Sequence, residues 1–129
     1  MQTPVYRLFF FKPGAKALDL SQDERKAFLA RLDEPAQRMG VRLLLSADMQ
    51  WSNECFEYFG LEQFPSQAAV LEYTQALREL GWYDYVVAES YLGIPMDGTA
   101  NMLTPPALPA PGGMPIYRAY LARLTSYGN

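Results

Sequence analysis

The chain has 129 residues, half of them hydrophobic, and a formal net charge of −3 from three Lys, eight Arg and fourteen acidic residues. That size fits one domain, and the apolar content supports a core, so a wholly disordered chain is excluded. It contains no histidine and one cysteine, Cys55, which excludes a Ser-His-Asp triad, a histidine-ligated zinc or haem site and an internal disulfide.

Val5–Lys12 reads as the first strand, stopped by Pro13-Gly14. Both faces are apolar, with Val5, Phe9 and Phe11 on one and Tyr6, Leu8 and Phe10 on the other, so cover is expected on both sides. A helix starts at Ser21, where Ser21-Gln22-Asp23-Glu24 forms a capping box. Phe28, Leu32 and Met39 follow at helical spacing. Pro35 interrupts the pattern, so a kink is expected near Asp33-Glu34, with a restart at Pro35 and an end at Gly40.

Val41–Trp51 is the second strand, with Val41, Leu43, Leu45, Ala47, Met49 and Trp51 sharing one face. After a turn at Ser52-Asn53, Glu54–Phe64 is the third. Ser66 caps a second helix whose apolar stripe is Val70, Tyr73, Thr74, Leu77 and Leu80, and Gly81 stands where a left-handed cap belongs. Tyr83–Ile94 is the fourth strand. Six of the ten prolines lie in Pro95–Pro115, which reads as an extended arm, and Met114–Tyr127 resumes helical spacing.

Two βαβ halves in series imply an α+β, ferredoxin-like βαββαβ domain over residues 1–94. Residues 95–129 form a proline-rich arm and C-terminal helix, expected to pack on the dimer and narrow the pocket entrance. The antiparallel sheet has order 4-1-3-2, with both helices on one face. Its open face exposes Phe and Tyr side chains, a patch seldom left in water, and a homodimer pairing two such faces buries it.

The aromatic strand Val5-Tyr6-Arg7-Leu8-Phe9-Phe10-Phe11, the helix start Leu20–Arg25 (Leu-Ser-Gln-Asp-Glu-Arg) and Leu80-Gly81-Trp82-Tyr83-Asp84-Tyr85 resemble the dimeric α+β barrel superfamily. The likeness covers about residues 4–94 and is nearest to small darcynin-like bacterial proteins. It implies a pocket inside the barrel. The superfamily includes cofactor-independent oxygenases that use Trp, Asn and Tyr side chains, which brings Trp51, Ser52 and Asn53 into view; as a residue type, Asn53 reads as a turn former.

Strand alternation assigns Arg7, Phe9, Phe11, Arg42, Ser46, Asp48, Gln50, Glu57, Phe59, Tyr85, Glu89 and Tyr91 to the open face. Arg7 then lies between Glu57 and Glu89. Arg7, Asp48, Glu57 and Glu89 are the candidate catalytic residues: a carboxylate acts as base beside an Arg that stabilises an anion. The competing reading is a structural ion-pair network. Phe9, Phe11, Trp51, Phe59, Tyr85 and Tyr91 are candidate contacts to a flat apolar ligand. Cys55, with no histidine to activate it, reads as a small buried residue.

Two functions stay open: a small-molecule pocket protein, including a metal- and haem-independent enzyme for proton abstraction with isomerisation, cyclisation or cofactor-free oxygenation; or a non-catalytic ligand-binding or interaction protein whose aromatic face serves dimerisation. The chain has no dinucleotide or phosphate-loop motif and no calcium-loop spacing, so no cofactor or metal is expected. Its basic residues are scattered and it lacks a long apolar run or a secretory leader pattern, so neither nucleic acid nor membrane is expected as a partner. A cytoplasmic location fits the lone cysteine.

Overall fold

The computed structural model describes residues 3–96. Eight elements follow in order: β1 (Val5–Pro13), α1 (Ala15–Leu18), α2 (Gln22–Arg38), β2 (Arg42–Asp48), β3 (Tyr58–Phe64), α3 (Gln67–Leu80), α4 (Trp82–Tyr85) and β4 (Val86–Gly93). The four strands make one antiparallel sheet in the order β2-β3-β1-β4, the ferredoxin-like order expected from the sequence. The expected arm and C-terminal helix lie outside the described residues.

The ends of the long helices follow local rules. The Ser21 hydroxyl accepts from the Glu24 amide at 3.2 Å, and the Glu24 carboxylate accepts from the Ser21 amide at 2.9 Å. That reciprocal bond holds Glu24 below its ordinary pKa; the Ser21 amide is the larger cause, the Ser21 hydroxyl the smaller. Ser66 caps α3 through the Ala69 amide, and Gly81 closes it at φ +80°, where a side chain would be strained.

Several expected boundaries shift. The helix does not break at Pro35: α2 runs unbroken to Arg38 with Pro35 inside it. Pro35 is buried between Leu32 and Ala36, both fully buried, so packing offsets the missing backbone donor. The second and third strands are shorter than expected, because residues 49–57 form a loop tied at both ends by the Met49 amide donating to the Glu57 carbonyl. Tyr83 and Tyr85 belong to the short helix α4 rather than to a strand, and β4 begins at Val86.

The core lies between the sheet and the helices α2 and α3. Val5, Phe9, Phe11, Phe28, Leu32, Phe64, Val70, Tyr73, Leu77 and Trp82 are buried there. Its aromatic part is continuous: Phe11 stacks on Tyr58 at 5.3 Å between centroids, and Phe28 lies 5.9 Å from Trp82 and 4.9 Å from Tyr85. Gly60 admits Phe9 to the sheet, since a Cβ at Gly60 would stand 2.5 Å from the Phe9 ring and 3.1 Å from the Leu45 carbonyl.

Candidate functional site

The ladder fixes which side chains share a face. On β1, Val5, Arg7, Phe9 and Phe11 are buried and alternate with the more accessible Tyr6, Leu8, Phe10 and Lys12. Arg7, Phe9 and Phe11 therefore point toward the helices, which corrects the open-face assignment by one residue. A strand apolar on both sides carries no phase in its alternation, and a charged residue is easily taken for the outward one.

The partner of Arg7 is also different. Its Nε and Nη2 donate to Glu62 Oε1 at 3.0 and 2.7 Å, and both side chains are buried. The guanidinium lies 5.0 Å from the Phe64 ring centroid and 5.6 Å from that of Tyr73. Glu62 faces Arg7 across the β1–β3 ladder, whereas Glu89 faces Phe10, and Glu57 precedes β3 and donates its amide to the Phe11 carbonyl. Arg7 does not sit between Glu57 and Glu89. Glu62 escaped the sequence reading, although the series Tyr58, Gly60, Glu62, Phe64 held a signal: in register it sets an acid opposite Arg7.

The open face is built from cross-strand rows. Arg42, Gln63, Tyr6 and Gly93 form one row; Leu45, Leu61, Leu8 and Tyr91 the next; Ala47, Phe59, Phe10 and Glu89 the third. Gln63 donates to the Tyr6 hydroxyl at 3.1 Å. Phe10 is the hub of an aromatic group, with centroids 5.9 Å to Phe56, 6.2 Å to Phe59 and 6.2 Å edge-on to Tyr91. The Tyr91 hydroxyl donates to the Glu89 carboxylate, and this bond, with the carboxylate's charge, raises the Tyr91 pKa. The face thus carries an apolar middle, polar ends and one acid–phenol pair.

The structure brings Phe59, Glu89 and Tyr91 together on this face. Asp48 does not join them: it ends β2 opposite the buried Tyr58, and its carboxylate accepts from the Gln50 amide at 2.9 Å. Ser46 pairs with the helix-side Gly60. The cause is a register shift between Leu43 and Leu45, which reverses the alternation of β2 and puts Leu45 and Ala47 on the open face. Tyr85 packs against Phe28 in α4. Trp51 is exposed in the 49–57 loop, where Asn53 shapes the turn by accepting from the Cys55 and Phe56 amides at 2.7 and 2.8 Å. Cys55 is exposed in that loop, not buried as expected.

A separate cavity of about 420 Å³ lies on the other side of β4, lined by Thr3, Val5, Gln67, Val70, Leu92, Gly93 and Ile94. Among the described residues no group of His, Cys, Asp and Glu has the makings of a metal site, and no helix is long and apolar enough to cross a membrane.

Solved structures share this architecture. A mutant chlorite dismutase from Candidatus Nitrospira defluvii matches with a TM-score of 0.61 at 9% identity, over 77% of this chain and 43% of that one. The same organism's enzyme in complex with imidazole matches with a TM-score of 0.58 at 12% identity, over 80% of this chain and 44% of that one. This chain therefore spans less than half the length of the chlorite dismutases it matches. A dabb family protein with a ferredoxin-like fold from Mesorhizobium loti has a TM-score of 0.46 at 17% identity, over 74% of this chain and 99% of that one. No protein-family model matches the chain, nor does any curated protein sequence. At these identities the likeness is one of fold alone.

Proposed function

We propose that the chain is a small-molecule-binding protein of the dimeric α+β barrel type, in which two copies join their open sheet faces around an apolar or aromatic ligand. One observation carries this reading: the open face has a middle of Leu8, Phe10, Leu45, Phe59, Leu61 and Tyr91, on the side of the sheet away from the described helices α2 and α3. Leu8, Leu45 and Tyr91 are exposed, and a patch of this kind in a lone domain marks a binding surface. The darcynin-like resemblance of the first strand supports the same reading.

In this arrangement Phe59 and Tyr91 are ligand contacts, and Glu89 is the group placed to take a proton from a bound substrate. Proton abstraction with isomerisation or cyclisation is the chemistry such a carboxylate supports. Cofactor-free oxygenation would begin with the same proton transfer. Arg7 and Glu62 hold the sheet from behind. With no histidine in the chain, a histidine-ligated haem or metal does not fit these residues.

Sedimentation of the full chain, with and without a naphthyl fluorophore, tests the reading. A dimer at micromolar concentration that binds the probe in a saturable way is expected. A monomer that binds nothing overturns it. A dimer whose interior excludes every probe favours the second reading, an interaction protein whose aromatic face serves dimerisation alone.

A further inference from the structure

Glu89 is unusual for its setting. It lies on the open face directly across from Phe10, the hub on which Phe56, Phe59 and Tyr91 converge within 6.2 Å between centroids. Tyr91 stands two residues further along β4 on the same face and donates its hydroxyl to the carboxylate. That bond occupies part of the carboxylate's acceptor capacity.

Two cations lie on the same face. Lys12 belongs to the neighbouring same-face pair, opposite Val87, and Arg42 to the far end of β2, opposite Gln63. Among the described residues no lysine or arginine forms an ion pair with Glu89. When a second sheet or a ligand covers this region, an ionised carboxylate needs a hydrogen-bond donor or a cation, because burying it alone is costly. Aromatic ring faces are negative and attract cations as well. A carboxylate and several rings at one spot therefore favour the same partner, an organic cation, and both disfavour an anion.

We propose that Glu89, set among Phe10, Phe56, Phe59 and Tyr91, makes this face selective for ligands that join a protonated amine to an apolar or aromatic body. The proposal rests on the reading of the open face as the wall of a ligand chamber. It adds the class of ligand: the rings take the flat body, and the carboxylate takes the ammonium group.

Three isosteric probes test it on the full chain at neutral pH and low salt: naphthylmethylamine, naphthylmethanol and naphthoate, with binding read by calorimetry. The amine should bind at least about tenfold tighter than the alcohol, and naphthoate weakest, as expected when cation–π and charge attraction add. Glu89→Gln should bring amine and alcohol within about twofold of each other, since the charge is removed. Tyr91→Phe, which keeps the charge and the ring, should preserve the preference. If amine and alcohol bind the natural chain equally, or Glu89→Gln keeps the preference, the proposal is overturned and the chamber reading stands. If none of the three binds, the chamber reading fails and takes the proposal with it.

Discussion

The two faces of β1 are chemically similar and physically opposite. Val5, Arg7, Phe9 and Phe11 are buried against the helices, while Tyr6, Leu8, Phe10 and Lys12 look out from the open sheet. The charged residue is on the inward side and much of the apolar surface is on the outward side. Burial here is decided by partners: Arg7 goes inside because Glu62 and two aromatic rings receive it. Phe10 stays accessible because its cover is not supplied by this chain's described helices. The lesson is that an outward aromatic face speaks of binding, and an inward ion pair speaks of structure.

The sharpest way to break this comparison is to remove one partner from each face. Glu62→Ala leaves the Arg7 guanidinium buried without its carboxylate and should cost about 3–5 kcal/mol, the range for a broken buried pair. Urea unfolding measures it, and a loss below about 1 kcal/mol would show that water reaches Arg7.

Next in size is Gly60→Ala on the inward face. The new methyl meets the Phe9 ring and the Leu45 carbonyl, so Phe9 must move, at about 1–3 kcal/mol by the overpacking rule. Combining it with Phe9→Leu should recover part of the loss in the same unfolding assay. No recovery would place the strain in the backbone instead.

Smaller again is the α2 cap. Ser21→Ala should cost about 1 kcal/mol at neutral pH. Because Glu24 has a folded pKa below its unfolded value, its contribution is present above the unfolded pKa. It is lost as pH falls through the lowered folded value. Glu24→Gln should therefore flatten part of the acid limb of the stability–pH curve, and an unchanged limb would show that the reciprocal bond does not persist in solution.

The smallest effect belongs to the outward face. Glu89→Ala should change the melting behaviour of the unliganded chain by no more than about 0.5 kcal/mol, as for a surface substitution. A loss as large as that of Glu62→Ala would contradict the face assignment.

Features set by a few adjacent residues were legible before the structure: the Ser21 capping box, the Ser66 cap, the left-handed Gly81 and the order of strands. Those that depend on long-range pairing were not. The face of β1 had no phase because both sides are apolar. Glu62 needed the β3 register to be seen opposite Arg7. Pro35 carries a helix-breaking signal that burial beside Leu32 and Ala36 overrides. Tyr83–Tyr85 looked like the start of a strand because aromatic residues favour strands, yet these residues sit in α4, where Tyr85 packs against Phe28. The candidate site suffered most: Phe59, Glu89 and Tyr91 could be grouped from alternation, but Arg7, Phe9, Phe11 and Asp48 were grouped with them across a sheet that separates them.

The irregularity between Leu43 and Leu45 works like a half-step in a two-beat rhythm. Every side chain after it falls on the other beat, so Leu45 and Ala47 reach the open face only because one extra residue is counted there. Deleting Leu44 would remove the irregularity without turning any other side chain over, since Leu43 and Leu45 already face the consecutive partners Glu62 and Leu61. Deleting Ser46 with the bulge kept would instead turn Ala47 inward and Asp48 outward, so one residue beyond the bulge decides which side chains the open face presents.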